Sequence, residues 1–304
     1  MKILDCEKLK DNVWYDSSED ITFNKNQFQV TKGVDFHFQN NKERWLHEKF
    51  SYVLDMFGNL GCGDTVFNTD YIYRKPKGFK KYQGSTIMLW SGGPSSSRYF
   101  DDINDKKISI PEDVDYHWAM NNFYFKWEEL METHGFPAIN LAVLNKEADK
   151  HDKPLIDFVK KHNMDIVFEE AKDSMVGEEY LNDLFPDQTG WYNTRYQSKL
   201  GIGVRLLLFA IILGVKKIYV IGVDGLDKND ETAHAFENKK VFPNWNMNWD
   251  QVYNMIKRQF IIFWEYVQTD LNKEFDCEIV NLAENYTNVS TFGKITKEWN
   301  EEHK

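Results

Sequence analysis

The sequence predicts a three-layer α/β fold built on a mainly parallel, Rossmann-like sheet, and two patterns carry that expectation. Short runs such as "TIMLW" (86–90), "INLAVLN" (139–145) and "KKIYVIGVD" (216–224) are apolar almost throughout, as strands covered on both faces are. Helical patterns separate them, and buried strands alternating with helices build a parallel sheet with helices on either side. Ligands of such sheets sit beyond the carboxyl ends of the strands. The residues just after each strand are therefore the candidate functional ones.

Taken in order, residues 1–84 read as a mostly helical opening extension. Within it "NKERWLHEKFSYVLDMF" has the spacing of an amphipathic helix, with Trp45, Leu46, Phe50, Val53 and Leu54 on one side. The extension ends in the basic "YRKPKGFKKYQG", a solvated connector by composition. Residues 85–304 form the α/β domain. Its strands are 86–90, "YHWAMNN" (116–122), 139–145, "MDIVFEE" (164–170), 216–224 and "CEIVNL" (277–282). The helix 199–214 is apolar all round in its middle and so must be buried. A second helix, 250–271, carries Val252, Met255, Ile256, Phe260, Phe263 and Val267 as one stripe. The segment 225–249 is long for a connection and reads as a lid. Its Trp245 and Trp249 either cover a ligand or anchor the helix that follows.

Composition narrows the class. The 304 residues are 42% hydrophobic and 15% aromatic, ample for a packed core, and the formal charge of -11 argues against a nucleic-acid partner. Cys6, Cys62 and Cys277 lie far apart, with no metal or redox spacing, which suits a reducing compartment. The start "MKILDCEKLK" lacks a signal-peptide core, and the longest apolar run is about half of the ~20 residues a membrane span needs. The expectation is a soluble cytoplasmic protein without a transmembrane segment, its association into a homo-oligomer left open.

The strand ends each admit two readings. After 86–90 comes Ser91-Gly92-Gly93-Pro94-Ser95-Ser96-Ser97: either backbone amides converging on a phosphate, or a tight turn capped by serine. It matches neither the P-loop nor the dinucleotide fingerprint. Asn121 and Asn145 carry donor and acceptor on one group, suited to a base or sugar edge and equally to an Asx-turn. Asp224, with Asp227 and Asp230 downstream, either gathers oxygen ligands for Mg²⁺ or opens a solvated acidic loop. His234 lies in a polar segment, as a proton-transfer group or a surface histidine. His117 falls inside a strand pattern, and His134 precedes the helix-stop signal "GFP".

In their order, "LWSGGPSS", "MNNFYF", "VLN", "LGIGVRLLLFAIILGVKKIYVIGVD", "HAF" and "NLAEN" resemble a bacterial sialyltransferase-like superfamily. It includes lipooligosaccharide sialyltransferases, Maf flagellin glycosyltransferases and MptE-like 6-hydroxymethylpterin pyrophosphokinases. The resemblance covers roughly residues 78–292 and implies a nucleotide-binding set. Gly92, Gly93, Pro94 and Ser95 fall on the family's glycine turn beneath the donor's CMP, with glycine in place of asparagine. Asn121, Asn145 and Asn285 fall on donor-contacting positions, and Lys199 stands where the family has arginine. Gly203 alone survives of a Thr-Ser-Gly helix opening. Leu226 and His234 stand where the sialyltransferases have tyrosines, and "FPNWNMNWD" lacks their lid histidine. Asp224 followed by "AHA" is similar to the Maf and MptE-like branch instead.

The resemblance implies three functions. The first is a glycosyltransferase using a CMP-type nonulosonate donor, with an unknown acceptor and no required cofactor, and with His234 and Asp224 as its catalytic pair. The second is a diphosphotransferase holding Mg²⁺ on Asp224, Asp227 and Asp230. The third is a relative that binds nucleotide and has lost its chemistry.

Overall fold

The computed structural model of the chain describes residues 3–5, 13–16, 21–24, 71–74, 77–120, 123–144, 153–169, 181, 184–185, 187–193, 200–225 and 249–303. The opening section contains β1 (Ile3–Asp5), β2 (Val13–Asp16), β3 (Ile21–Asn24) and β4 (Tyr71–Arg74). Beyond it lie β5 (Thr86–Trp90), β6 (Tyr116–Met120), β7 (Ile139–Leu144), β8 (Asp165–Glu169), β9 (Thr189–Asn193), β10 (Lys217–Ile221) and β11 (Glu278–Asn281). The helices are α1 (Pro94–Asn104), α2 (Phe123–His134), α3 (Lys153–His162), α4 (Ile202–Leu213), α5 (Trp249–Tyr266) and α6 (Thr291–Glu302). None of the described helices is long and apolar enough to cross a membrane.

Nine strands form one sheet in the order β1-β4-β9-β8-β7-β6-β5-β10-β11, while β2 pairs separately with β3. Every neighbouring pair in the large sheet is parallel except β4 with β9. From β5 the chain lays strands outward as far as β9, then returns to place β10 on the other side of β5. The order reverses between β5 and β10, and a parallel sheet opens a crevice at such a reversal.

Alternation along the strands builds the three layers. Ile87 and Leu89 point into one apolar cluster with Trp118, Leu141, Val143, Ile218 and Val220, and α4, α5 and α6 cover it. Met88 and Trp90 point to the other side, with Ala119, Ala142, Ile166 and Ile221, beneath α1, α2 and α3. Each fully buried Leu, Ile or Phe contributes about 1.5–3 kcal/mol. In α4, Val204 and the residues Leu206 through Ala210 are at most 2% exposed, so the all-round apolar helix is buried as expected.

Some boundaries differ from the sequence reading, and glycines explain two of them. The strand expected over 216–224 ends at Ile221, because Gly222 takes a φ of +80° and leaves the ladder. The helix expected from Lys199 begins at Ile202, after Gly201 at φ 81°, and stops at a left-handed Gly214. The helix over 250–271 runs as α5 and continues into a π turn, Val267–Leu271. Helix α2 stops at His134, before Gly135 at φ +68°, as "HGFP" suggests. The helix expected around Trp45 lies outside the described residues. What is described of residues 1–84 is strand and a 3₁₀ helix, Lys77–Tyr82, and β1 and β4 join the main sheet. Phe79 and Tyr82 belong to the core cluster beneath α4.

That 3₁₀ helix is fastened at the amino edge of the sheet. The Tyr82 hydroxyl donates to Asp165 Oδ2 at 2.6 Å and to the Asn140 carbonyl at 3.1 Å. Lys81 Nζ lies 3.0 Å from the same carboxylate. Burial raises the Asp165 carboxyl above the ordinary aspartate value, opposed by the hydrogen bonds from Tyr82 and Lys81. Asp165→Ala is expected to cost about 1–3 kcal/mol, because the buried Tyr82 hydroxyl loses its nearer acceptor. Asp165→Asn keeps an acceptor there and is expected to cost less. Urea denaturation of the two variants measures the difference.

Candidate functional site

The loop after β5 and the loop after β10 meet backbone against backbone at the sheet's carboxyl edge. Ser91 N–H donates to Ile221 O at 2.9 Å, and Gly93 N–H donates to Gly222 O at 2.9 Å. Gly222 N–H donates to the Ser95 hydroxyl oxygen at 3.0 Å, and Ser96 Oγ donates to Ser91 O at 2.6 Å. The approach leaves no room for side chains. A Cβ on Gly93 would lie 2.3 Å from Gly222 O and 2.4 Å from Asp224 Oδ2. One on Gly222 would lie 2.1 Å from Ser91 O.

Asp224 sits where three segments join. Its carboxylate Oδ2 accepts from Ser95 N–H at 2.7 Å, in the first turn of α1. Its backbone carbonyl accepts from Phe292 N–H at 3.0 Å, in the first turn of α6. The residue is 2% exposed.

The neighbouring strand ends converge on the same place. Ser91 Oγ donates to Met120 Sδ at 2.9 Å, linking the ends of β5 and β6. At the amino end of α4, a Cβ on Gly203 would lie 3.0 Å from Val223 Cγ2 and 3.3 Å from Met120 Cε. The N-cap residue of α4, Gly201, has no side chain to cap the helix, and its first turn contains no acidic residue.

Of the residues singled out from sequence, the structure thus gathers Gly92, Gly93, Pro94, Ser95, Gly203 and Asp224 at the carboxyl edge of the sheet. Gly92 and Gly93 are half-buried there, and Pro94 and Ser95 are buried. Asn285 is exposed at the end of the 3₁₀ helix Leu282–Asn285, just after β11. Trp249 opens α5. Asn121, Asn145, Lys199, Asp227, Asp230, His234 and Trp245 lie outside the described residues. Among the described residues no group of three or more His, Cys, Asp or Glu could hold a metal. Of the three carboxylates in the Mg²⁺ reading, the described residues include Asp224 alone, its Oδ2 bonded to the Ser95 amide.

Sequence reasoning missed Ser96 and Met120, which lock the turn from either side. Their signal was faint: a third serine and the last apolar residue of a strand. His117 is a core residue, its Nδ1 accepting from Trp90 Nε1 at 3.0 Å, and burial pushes its imidazole down to about 4.

No protein-family model matches the chain, and no curated protein matches it. Two solved structures do. Monofunctional α-2,3-sialyltransferase Cst-I from Campylobacter jejuni is 14% identical, covering 70% of this chain and 82% of that one, with a TM-score of 0.43. An apo α-2,3-sialyltransferase from Campylobacter jejuni is 17% identical over the same shares, with a TM-score of 0.40. A likeness at this level assigns neither residues nor activity.

Two outcomes test the geometry. Gly93→Ala and Gly222→Ala are each expected to destabilise by about 2–4 kcal/mol, since backbone oxygen blocks the added carbon and Gly222 also holds positive φ. Gly203→Ala meets only side-chain ends and is expected to cost under about 1 kcal/mol, as thermal melts would show. For His117, a depressed folded value means that its stabilisation is complete above the unfolded value near 6.5 and is lost as pH falls towards 4. That loss is on the order of 3 kcal/mol. NMR titration should find the ring neutral at pH 5.

Proposed function

We propose that the chain is a glycosyltransferase that draws on a nucleotide-activated donor, of the CMP-nonulosonate type. The observation that carries this reading is the convergence at the strand-order reversal. Ser91, Met120, Val223 and Gly203, from four separate segments, meet at the carboxyl edge between β5, β6 and β10. Parallel α/β sheets bind their ligands at such an edge. The amino end of α4, which starts after a glycine and has no acid in its first turn, supports a donor phosphate beside it, since helix amides and the helix dipole favour an anion. The sequence adds Asn121 and Asn145, one residue beyond β6 and β7, for the base and sugar, and Asn285 and Lys199 towards the donor.

In the reaction, the acceptor hydroxyl oxygen bonds to the donor's anomeric carbon as that carbon's bond to the phosphate oxygen breaks. CMP departs with the electron pair. A protonated His234 would give its proton to the leaving phosphate, and the acceptor's proton passes to solvent. Positive charge there acts where negative charge develops.

A thermal-shift series with CMP, CDP, UDP and GDP tests the reading. CMP is expected to stabilise the chain by about 2.7 kcal/mol at a hundredfold excess over its dissociation constant, well above the others. No response to any nucleotide would sink the proposal. His234→Ala is expected to keep the CMP response and lose about 10²–10⁴-fold in transfer rate.

A further inference from the structure

A glycine turn running into a helix is a phosphate seat only if its donors are free. Here those of Ser91, Gly93, Ser95 and Ser96 are taken up within the fold. Pro94, at the first position of α1, has no N–H to offer. Gly93 N–H goes to Gly222 O, and Ser96 N–H turns back to Gly93 O at 3.1 Å. Ser95 N–H goes to the Asp224 carboxylate at 2.7 Å. The Ser95 hydroxyl oxygen receives Gly222 N–H, and the Ser96 hydroxyl serves Ser91 O. Gly93, the N-cap residue, has no side chain to cap the helix, so the cap arrives from Asp224, 129 positions beyond Ser95.

A carboxylate buried to 2% exposure is costly unless it is bonded, and the positive end of a helix is the setting that repays it. Ser95 and Ser96 have no exposure at all, so no solvent layer separates the carboxylate from the turn. We propose that Asp224 is the resident anion of α1. Its carboxylate fills, as part of the chain, the seat that a phosphate would take at this turn. The Ser91–Ser95 turn therefore fastens the ends of β5 and β10 together and does not receive the donor's phosphate. Asp224 is accordingly a positioning residue through its Oδ2. This assignment stands whether or not the chain uses a nucleotide donor.

Asp224→Ala empties the seat, and inorganic phosphate is the probe. The variant is expected to melt roughly 3–8 °C below the parent chain. It should regain at least half of that loss in phosphate relative to chloride at matched ionic strength. The parent chain should melt alike in both salts. Asp224→Asn keeps an acceptor oxygen for Ser95 N–H, so it should hold most of the stability and show no phosphate response. A variant indifferent to phosphate, or a parent chain stabilised by it, overturns the proposal. Should Asp224→Ala fail to fold, ¹⁵N-labelled parent chain titrated with phosphate and with CMP decides. The Ser95 and Gly93 amide resonances stay put if the seat is filled, and a saturable shift of Ser95 overturns it. Failure of the nucleotide reading appears separately, as a parent chain that ignores CMP altogether.

Discussion

The hydrogen bond from Ser95 N–H to the Asp224 carboxylate holds the carboxyl edge of this sheet together. It joins the two strands between which the order reverses, where no covalent connection between neighbours does so. The same residue receives Phe292 N–H on its carbonyl, so the amino ends of α1 and α6 both rest on Asp224. Positions 95, 224 and 292 are remote in sequence and meet at one buried acid. Gly93 and Gly222 make the meeting geometrically feasible, since a side chain on either would displace a backbone oxygen.

The two edges of the sheet are built differently. The amino edge relies on side chains: Tyr82, Lys81 and Asp165 make one polar group, and Asp113 takes Tyr219 and Lys217 in another. Main-chain bonds from Gly84 N–H to Gly214 O at 2.8 Å and from Lys216 N–H to Ser85 O at 2.9 Å accompany them. The carboxyl edge adds direct contact of two loops, main chain on main chain, to the bonds made by Asp224 and the serines. The small residues there let Met120, Val223 and Gly203 pack closely, all three buried.

The apolar strands β5, β7 and β10 and the helix α4 were legible in the sequence because both their faces are covered, leaving no polar alternation to confuse them. Strand β9, "TGWYN", is short and rich in polar residues, and its pairing with β8 is a matter of register rather than of composition. Helices α1, α2 and α3 bury one side only, and α1 begins in a proline and three serines that also read as a turn. At the candidate site, Gly92, Gly93, Ser95, Gly203 and Asp224 were recognised as belonging together. The direction of the Asp224 carboxylate was not recognised. Spacing shows an acid after a strand and followed by other acids, which suggests a metal or a solvated loop. Only the fold shows an amide waiting for it across the crevice.

The most direct measurement is a crystal structure of the chain grown with CMP. The account predicts nucleotide density along the carboxyl edge beside Met120, Val223 and Gly203, with the bond between Ser95 and Asp224 intact. Density confined to the amino edge near Tyr82 and Asp165, or a phosphate on Ser95 N–H with Asp224 turned away, would contradict it.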